Sequence, residues 1–339
     1  MIDGSIGEGG GQIVRTSLAL SLVTGRPLTL TNIRSRRSKP GLRHQHLACV
    51  NAAAGIGRTE VTGACVGSSQ ITFVPHGIHP GRISLDIGTA GAAALVIETL
   101  AMPLSKASKT TEITVGGGTS VPFGPSVQFL QYQWEPMLAL MGLKCQISLV
   151  RAGYYPKGGG EMWAQVLPVS RWSGVHLEKR GTLQQIDVLS HYTQLPNHVG
   201  ERQASSAETI LKSLGAPVVT IVEELAGDHP GTHLIVVAKY THSQAAFLAL
   251  GSKGKPAESV ADEACYQLIE FHGSGSAVDQ NTADQILLPL ALAEGPSQYS
   301  VSRVTNHLVT NAQVITKFID RSIVVNGNVG GSGCVEVGD

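Results

Sequence analysis

The amino-acid sequence predicts an α/β (α+β) fold in which one structural unit occurs three times. A glycine- or alanine-rich opening, an apolar helix, a strand, a second helix and two further strands follow one another, and this order recurs along the chain. Apolar residues form 42% of the 339 residues and charged residues 15%, so the chain can bury a sizeable core. The 40 glycines suit a fold with many tight turns.

The first unit begins at Ile6. Apolar residues at helical spacing predict its helices, and runs rich in β-branched residues predict its strands. The expected elements are helices at 12–23 and 41–54, and strands at 27–33 and near residues 60 and 71.

Two further units follow at unequal intervals. The second begins at Ile87, 81 residues after the first, and the third begins near Ala277, 190 residues after the second. In the second unit we expect helices that end near residues 101 and 140 and strands at 111–115 and 144–150. In the third we expect helices at 283–293 and 307–319 and a strand at 298–304.

The longer second interval predicts an insertion of about a hundred residues. The inserted stretch has the pattern of a small α/β domain of its own, with strands at 183–189, 218–222 and 232–240 and helices at 201–214 and 257–271. We therefore expect a three-repeat body formed by residues 1–179 plus 275–339, and an inserted domain formed by residues 180–274.

Bulk properties exclude several classes of protein. The net formal charge is zero, so any affinity for a polyanion must come from a local patch. Five widely spread cysteines without a C-x-x-C pair predict free thiols rather than a disulfide framework or a zinc site. Neither a signal peptide nor an apolar run of about 20 residues is visible. A cytoplasmic protein without a membrane partner is expected, as a monomer or a homodimer.

A glycine-rich segment at residues 7–12 precedes the first predicted helix. Such a segment is either a tight strand-to-helix turn or a cradle for phosphate, because glycines and free N–H groups at a helix start favour anions. Glu8 inside it is unusual. It either holds a divalent metal that would bridge to phosphate, or it lies in the first helical turn and complements the helix dipole.

Charge segregation follows this segment. Between Glu8 and Glu60 there is no acidic residue, yet eight lysines and arginines occur there, five of them within residues 34–43. A solvated surface normally mixes both signs. We interpret the stretch as an anion-binding strip, suited to a nucleotide or to RNA.

Histidine supplies the candidate nucleophile. His307 follows Thr305 and Asn306, both able to cap a helix, so it is expected in the first helical turn, where imidazolium is disfavoured and the neutral ring is nucleophilic. A helix-start histidine with a structural role is the alternative reading. His229 and His233 have a metal-like spacing without supporting ligands, so we expect them to be surface or turn residues.

Taken together and in order, several segments resemble the RNA 3′-terminal phosphate cyclase family over essentially the whole chain. They are Gly7–Gln12 with Arg15, Lys39–Leu42, Gln45–Leu47, Tyr155–Gly160, Ala283–Gln285 and His307–Asn311. The resemblance implies three βαβαββ repeats similar to the C-terminal domain of a translation initiation factor and related to enolpyruvate transferases, with a small inserted domain before the third repeat.

The resemblance also implies a reaction. His307 would attack ATP and carry AMP, the adenylate would pass to an RNA 3′-phosphate, and the vicinal 2′-OH would close a 2′,3′-cyclic phosphodiester. Glu8 would hold a divalent metal, Mg²⁺ or Mn²⁺. Further implied ligands are Gln12 and Arg15 for ATP phosphates, Arg34, Arg37 and Gln45 for ATP phosphates or the RNA end, and Pro125, Asp284 and Gln285 for the nucleoside.

Two nucleotide-pocket positions depart from the family pattern. Asn281 stands where an aromatic residue often stacks on adenine, and Glu98 stands where glutamine is frequent. Two other functions share the expected architecture: an enolpyruvate-transferase-like enzyme, and a non-catalytic RNA-processing scaffold. The scaffold would be expected to lack the nucleophile that His307 supplies.

Overall fold

Four sheets of four strands each organise this computed structural model, which describes residues 1–122 and 124–338. The first sheet belongs to the segment that ends at Val74. Its elements are β1 (Ile2–Asp3), α1 (Gln12–Thr24), β2 (Leu28–Thr31), α2 (His44–Gly57), β3 (Glu60–Thr62) and β4 (Ile71–Val74). The strand order is β1-β2-β4-β3, with β1 parallel to β2 and the other two pairs antiparallel.

The second sheet has the same pattern. Its elements are β5 (Arg82–Asp86), α3 (Ala94–Ser105), β6 (Thr111–Gly117), α4 (Val127–Phe129), a π-helical turn (Leu130–Trp134), α5 (Glu135–Leu140), β7 (Cys145–Arg151) and β8 (Gly160–Val166). The order is β5-β6-β8-β7, and again only the first pair is parallel. Sheet connectivity is therefore the same in both units.

Between residues 176 and 274 the chain leaves this pattern. After β9 (His176–Leu177) come β10 (Leu183–Thr193), α6 (Asn197–Leu211), a 3₁₀ turn (Lys212–Leu214), β11 (Val218–Glu224), β12 (Gly231–Tyr240), β13 (Gln244–Leu250) and α7 (Ala257–Ser274). The sheet order is β11-β10-β12-β13. Helices α6 and α7 cover one face, where Val188, Val236 and Leu268 contribute to a second core separate from the main one.

The pattern then returns with α8 (Thr282–Gln285), α9 (Leu287–Leu292), β14 (Ser297–Val301), α10 (Asn306–Ile315), β15 (Ile323–Asn326) and β16 (Gly333–Val337). The order β15-β16-β14-β9 pairs β9 parallel with β14 across the intervening segment, and the other pairs are antiparallel. Three sheets thus share one connectivity, and the predicted α/β class is confirmed. Helix α1 packs against α2, α3 and α10, which brings the three units together.

Several strands were not predicted from the sequence. Strand β8 alternates buried and half-buried residues along its length, a signal that the period-2 pattern could have revealed. Strand β13 reads Gln-Ala-Ala-Phe-Leu-Ala-Leu, and its alanines favour a helix, but pairing with β12 decides its conformation. Strands β1, β5, β9, β15 and β16 were also missed. The last helix, α10, ends at Ile315 rather than at residue 319.

Candidate active site

One cleft of about 1080 Å³ is lined by every residue that the sequence predicted for the nucleophile, the metal, the nucleotide and the RNA end. These residues are Glu8, Gln12, Arg15, Arg34, Arg37, Gln45, Glu98, Pro125, Asn281, Asp284, Gln285 and His307. They come from α1, α2, α3, α8, α10 and the segments before α1, α2, α4 and α8. Residues of β13 complete one wall, so the inserted segment borders the cleft. The volume is at the upper end of the range for small-molecule sites.

The glycine-rich segment allows close approach to the side chains around it. Gly7 and Gly9 have φ of 54° and 61°, in the left-handed region. A Cβ atom on Gly10 would lie 2.2 Å from Glu8 Oε1, and one on Gly11 would lie 2.1 Å from His46 Nε2. Because α1 begins at Gln12 and has no acidic residue in its first turn, the alternative placement of Glu8 in that turn is wrong.

His307 is the second residue of α10. Thr305 caps the helix, since its hydroxyl accepts a hydrogen bond of 3.1 Å from the backbone N–H of Leu308. The imidazole is contacted from both sides. Its Nδ1 lies 2.9 Å from Gln12 Oε1, and its Nε2 lies 3.0 Å from Glu8 Oε2. The side chain is 50% exposed, so a ligand in the cleft can reach the ring.

Gln12 is itself held in one orientation. Its Nε2 donates to Asp284 Oδ2 at 2.5 Å, so its Oε1 faces the histidine and accepts from Nδ1–H. Asn311 Nδ2 in turn donates to the carbonyl of Asp284 at 2.7 Å, and Asn311 Oδ1 accepts from Thr16 Oγ1 at 2.8 Å. These bonds link α1, α8 and α10. They place the proton of a neutral His307 on Nδ1, and Nε2 then has a free lone pair once the Glu8 carboxylate, 3.0 Å away, moves aside.

The pKa of His307 is lowered below its ordinary value of 6.5. Burial is the largest cause, and the positive charges of Arg15 and Arg37 add to it, whereas Glu8 opposes the shift. The predicted direction, towards a neutral ring, agrees with this arrangement. The leading cause is burial among cations rather than the helix start alone.

The arginines of the basic strip differ in their contacts. Arg37 Nη2 pairs with Glu8 Oε1 at 2.8 Å and is still 41% exposed at its side chain. Arg34 has φ of 53°, and its Nη1 donates to the carbonyls of Lys39 and Gly41 at 2.7 and 2.9 Å. Arg34 therefore shapes its own loop in addition to lining the cleft. Gln45 Oε1 accepts from the backbone N–H of Ala92 at 3.3 Å.

Two acidic groups lie deeper in the cleft. Burial raises the pKa of Glu98 to about 7, and the positive charge of Arg15 partly opposes the shift. Burial and the neighbouring Glu98 raise the pKa of Asp284 to about 8. Oxygens Oε1 of Glu98 and of Gln285 are buried without a hydrogen-bond partner among the described residues. Unsatisfied buried acceptors that line a cleft are available to a ligand's donors.

Comparison with known proteins assigns the chain to a family. Residues 6–325 match the family model described as RNA 3′-terminal phosphate cyclase. The chain belongs to this family. Two cyclases of this name, from Nostoc punctiforme and Caldivirga maquilingensis, are each 42% identical to it, over 334 and 330 residues. The alignments cover 96% and 95% of this chain and 95% and 93% of the two relatives.

A third cyclase of the same name, from Methylococcus capsulatus, is 42% identical over 325 residues, with 94% of this chain and 90% of the relative covered. Among solved structures, the enolpyruvyl transferase NikO from Streptomyces tendae matches with a TM-score of 0.26 and 8% identity. That match covers 97% of this chain and 63% of the solved chain. A similarity this low supports no conclusion. Family membership rests on the sequence matches, which confirm the resemblance seen in the motifs.

His46 also lines the cleft of this cyclase-family chain, although the sequence analysis assigned it no role. It is 4% exposed, and its Nδ1 accepts from the backbone N–H of Arg43 at 3.1 Å. Burial and the surrounding arginines lower its pKa to about 3, so the ring is neutral and its Nε2–H faces the glycine-rich segment. Its position directly after Gln45, inside a family motif, was the available signal.

The described residues contain neither a cluster of metal-binding side chains nor a helix that could span a membrane. Among residues 1–122 and 124–338, no cluster of three or more His, Cys, Asp or Glu side chains could hold a metal ion by itself. Within the same ranges, no helix has the length and apolar character to cross a bilayer. The five cysteines are free, as predicted.

Proposed function

We propose that this protein converts an RNA 3′-terminal phosphate into a 2′,3′-cyclic phosphodiester at the expense of ATP, with His307 carrying AMP. The observation that carries the proposal is the setting of the ring. Gln12 accepts from Nδ1–H, and burial together with nearby cations lowers the pKa of the ring. Nε2 lies beside Glu8 in a cleft lined by Arg15 and Arg37. A neutral, oriented imidazole with cations beside it suits attack on a phosphorus centre.

The proposed chemistry has three displacements. His307 Nε2 bonds to the α-phosphorus of ATP, and the bond to the departing pyrophosphate breaks. An oxygen of the RNA 3′-phosphate then attacks the AMP phosphorus, the P–N bond breaks, and an RNA-3′-pp-5′-A anhydride forms. Finally the 2′-OH attacks the 3′-phosphorus, loses its proton and expels AMP. The last step is intramolecular, and effective molarities of ~10⁵ M or more can favour such closures.

Contacts in the cleft support distinct roles. The carboxylate of Glu8 contacts Nε2 of His307, so it must turn away before this nitrogen can attack. Arg37, Arg34 and Gln45 are placed to bind the RNA end or ATP phosphates, and Gln12 and Arg15 to bind ATP phosphates. Pro125, Asn281, Asp284, Gln285 and Glu98 line the part of the cleft proposed for the nucleoside.

The metal proposed for Glu8 fits the residues present. Its side chain is 16% exposed and faces the cleft beside basic residues that suit phosphate. Magnesium commonly takes one or two carboxylates and completes its shell with substrate phosphates and water, so a larger protein cluster is not required. A bound Mg²⁺ or Mn²⁺ would stabilise charge on the phosphates of ATP.

We also propose that residues 1–179 plus 275–339 form the catalytic body and that residues 180–274 form an inserted domain. The separate sheet and the separate hydrophobic core of the inserted segment support this division. Location in the cytoplasm and the choice between monomer and homodimer stay predictions.

The test is adenylation of the protein by ATP labelled at the α-phosphate, with Mg²⁺ or Mn²⁺. An acid-labile, alkali-stable adduct is expected, and His307→Ala should abolish it while the matched variant His242→Ala, in an exposed turn, retains it. An adduct in His307→Ala would show that another residue is the nucleophile. Folded wild-type protein that forms no adduct would contradict the proposal, and the enolpyruvate-transferase and scaffold alternatives would then stand.

A further inference from the structure

Tyr155 is an exposed aromatic residue on the wall of the cleft. Its side chain borders the same cleft as His307, yet the residue is 69% exposed. A second cavity of about 470 Å³ adjoins this region, and Thr89 lines both. Lys157, two residues beyond Tyr155, lines the second cavity. The loop at 152–159, between β7 and β8, therefore presents a ring to one cavity and an ammonium group to the other.

This loop is fixed on both sides. The hydroxyl of Tyr154 lies 3.0 Å from Nδ1 of the buried His233 in β12, and the backbone N–H of Gly158 donates to the carbonyl of Tyr154 at 2.7 Å. A Cβ on Gly158, which has φ of 70°, would lie 2.9 Å from Cα of Ala90. Tyr155 is thus anchored between the inserted segment and the segment at residues 89–91. An anchored backbone reduces the conformational entropy that is lost when a ligand stacks on the exposed ring.

The charges around the loop favour a single phosphate contact at Lys157. Arg151 also lines the second cavity, but it pairs with Asp228 at 3.5 Å. Asp86 and Glu161 line the cavity as well, so the cavity as a whole is not basic. Within the described ranges Lys157 is exposed and has no ion pair with an acidic side chain, so its charge is available to an anion.

We propose that Tyr155 and Lys157 bind the RNA nucleotides that precede the 3′-terminal one, Tyr155 by stacking on a base and Lys157 by contacting a backbone phosphate. The proposal rests on the proposed function, which places the RNA end beside His307. A single strand that leaves the cleft past Thr89 would meet these two side chains next. Proteins commonly bind single-stranded RNA with aromatic and cationic side chains, because every base can stack on a ring and every phosphate linkage carries a negative charge.

The first test compares Tyr155→Ala, Tyr155→Phe and Tyr266→Ala. Tyr266 is the matched control, because it is 68% exposed and lines neither cavity. Affinity for a single-stranded oligoribonucleotide with a 3′-phosphate is measured by fluorescence anisotropy. Tyr155→Ala should weaken binding roughly 5- to 150-fold, the loss expected for one stacked base. Tyr155→Phe and Tyr266→Ala should bind like the wild type.

A nucleoside 3′-monophosphate distinguishes contacts to the terminal nucleotide from contacts to the nucleotides that precede it. Competition by this monophosphate should be the same for Tyr155→Ala and the wild type, because it lacks a preceding base. If Tyr155→Ala lowers the affinity for the monophosphate as much as the affinity for the oligonucleotide, the ring contacts the terminal nucleotide and the proposal is wrong. Unchanged oligonucleotide affinity in Tyr155→Ala would also overturn it.

The lysine is tested by salt dependence. Lys157→Ala should reduce the magnitude of the slope of log affinity against log salt by about 0.7, the contribution of one phosphate on a single strand. Lys109→Ala, another exposed lysine outside both cavities, should leave the slope unchanged. A slope in Lys157→Ala equal to that of the wild type would exclude the phosphate contact.

Adenylation without RNA distinguishes failure of this proposal from failure of the proposed function. Tyr155→Ala and Lys157→Ala should form the protein–AMP adduct at the wild-type rate, which also shows that they are folded. Loss of adenylation in Tyr155→Ala would assign the ring to ATP instead of RNA and would overturn the inference. If the wild type itself forms no adduct, the proposed function is the one that fails.

Discussion

The carboxyl groups of Glu98 and Asp284 lie in surroundings that oppose their ionisation. Burial is the largest cause for both, and it raises their pKa values to about 7 and about 8. The charge of Glu98 also raises the pKa of Asp284, whereas Arg15 favours ionisation of both groups. Near neutral pH the pair therefore carries less than two negative charges. This lowers repulsion towards an anionic ligand in the same cleft.

A consequence for stability can be measured in Glu98→Gln. The folded protein holds the proton of Glu98 more tightly than the unfolded chain, in which the pKa is about 4.5. Stability should therefore fall as the pH rises from about 4.5 to about 7, and glutamine removes this contribution. The free energy of unfolding of the variant minus that of the wild type is the quantity to compare. This difference should be more favourable to the variant at pH 8 than at pH 5, by on the order of 1–3 kcal/mol. Urea unfolding at the two pH values measures this difference.

Glu178→Gln is the control, because Glu178 is exposed. The difference in free energy of unfolding between Glu178→Gln and the wild type should be the same at pH 5 and at pH 8. Asp284 will leave a residual pH dependence in Glu98→Gln, since its own raised pKa persists. If Glu98→Gln shows the same difference between pH 5 and pH 8 as the wild type, Glu98 is not protonated in the folded protein.

At the scale of single elements, the start of α1 depends on a packing contact with α2. Gly11 has φ of −68°, an angle that alanine also adopts, so glycine is required there by space and not by backbone conformation. A Cβ atom would meet the ring of His46 at 2.1 Å. Because His46 is buried and bonded to the backbone of Arg43, the ring has little room to retreat.

We therefore expect Gly11→Ala to lower the free energy of unfolding by about 1–3 kcal/mol, as overpacking of a filled site does. It should also slow adenylation, since Gln12 follows directly and positions His307. Gly55→Ala is the opposite case within α2, where no atom lies within 4 Å of the added Cβ. That variant should be more stable by roughly 0.5–1 kcal/mol. Thermal or urea unfolding gives both values, and equal effects would contradict the steric explanation.

At the scale of the whole molecule, a buried polar contact joins the inserted segment to the body. Tyr154, from the loop after β7, contacts His233 of β12, and His233 Nε2 lies 3.1 Å from Nδ1 of His191 in β10. The expectation that His233 is a surface or turn residue was wrong, since its exposure is 0%. Sequence spacing could not reveal this, because the partner ring lies 79 residues away.

Removing one hydroxyl tests this contact. Tyr154→Phe leaves Nδ1 of the buried His233 without its partner, which costs about 1–3 kcal/mol in free energy of unfolding. The loop should become more sensitive to limited proteolysis, and affinity for an oligoribonucleotide should fall, while adenylation by ATP continues. Tyr266→Phe, at an exposed position, should change none of these quantities. Unaltered stability and proteolysis in Tyr154→Phe would show that the contact does not join the two parts.

Periodic patterns predicted the helices and strands that obey local rules. The helix at 12–23 became α1 with one added residue, and the insertion contains a sheet of its own where one was expected. The pattern failed where pairing decided conformation. Strand β13 is alanine-rich, and β1 and β9 have two residues each, too few for any periodicity to show. Their hydrogen-bond partners come from distant parts of the chain.

By itself, the sequence determined the α/β class, the family and the side chains of the cleft, because motifs in fixed order record residue types and their spacing. The tertiary structure decided how those side chains meet. It placed Gln12 and Glu8 on opposite nitrogens of His307, although 295 residues separate Gln12 from the histidine. It also buried His233 beside Tyr154. Distances, desolvation and pKa values depend on groups brought together by packing, and no local pattern contains them.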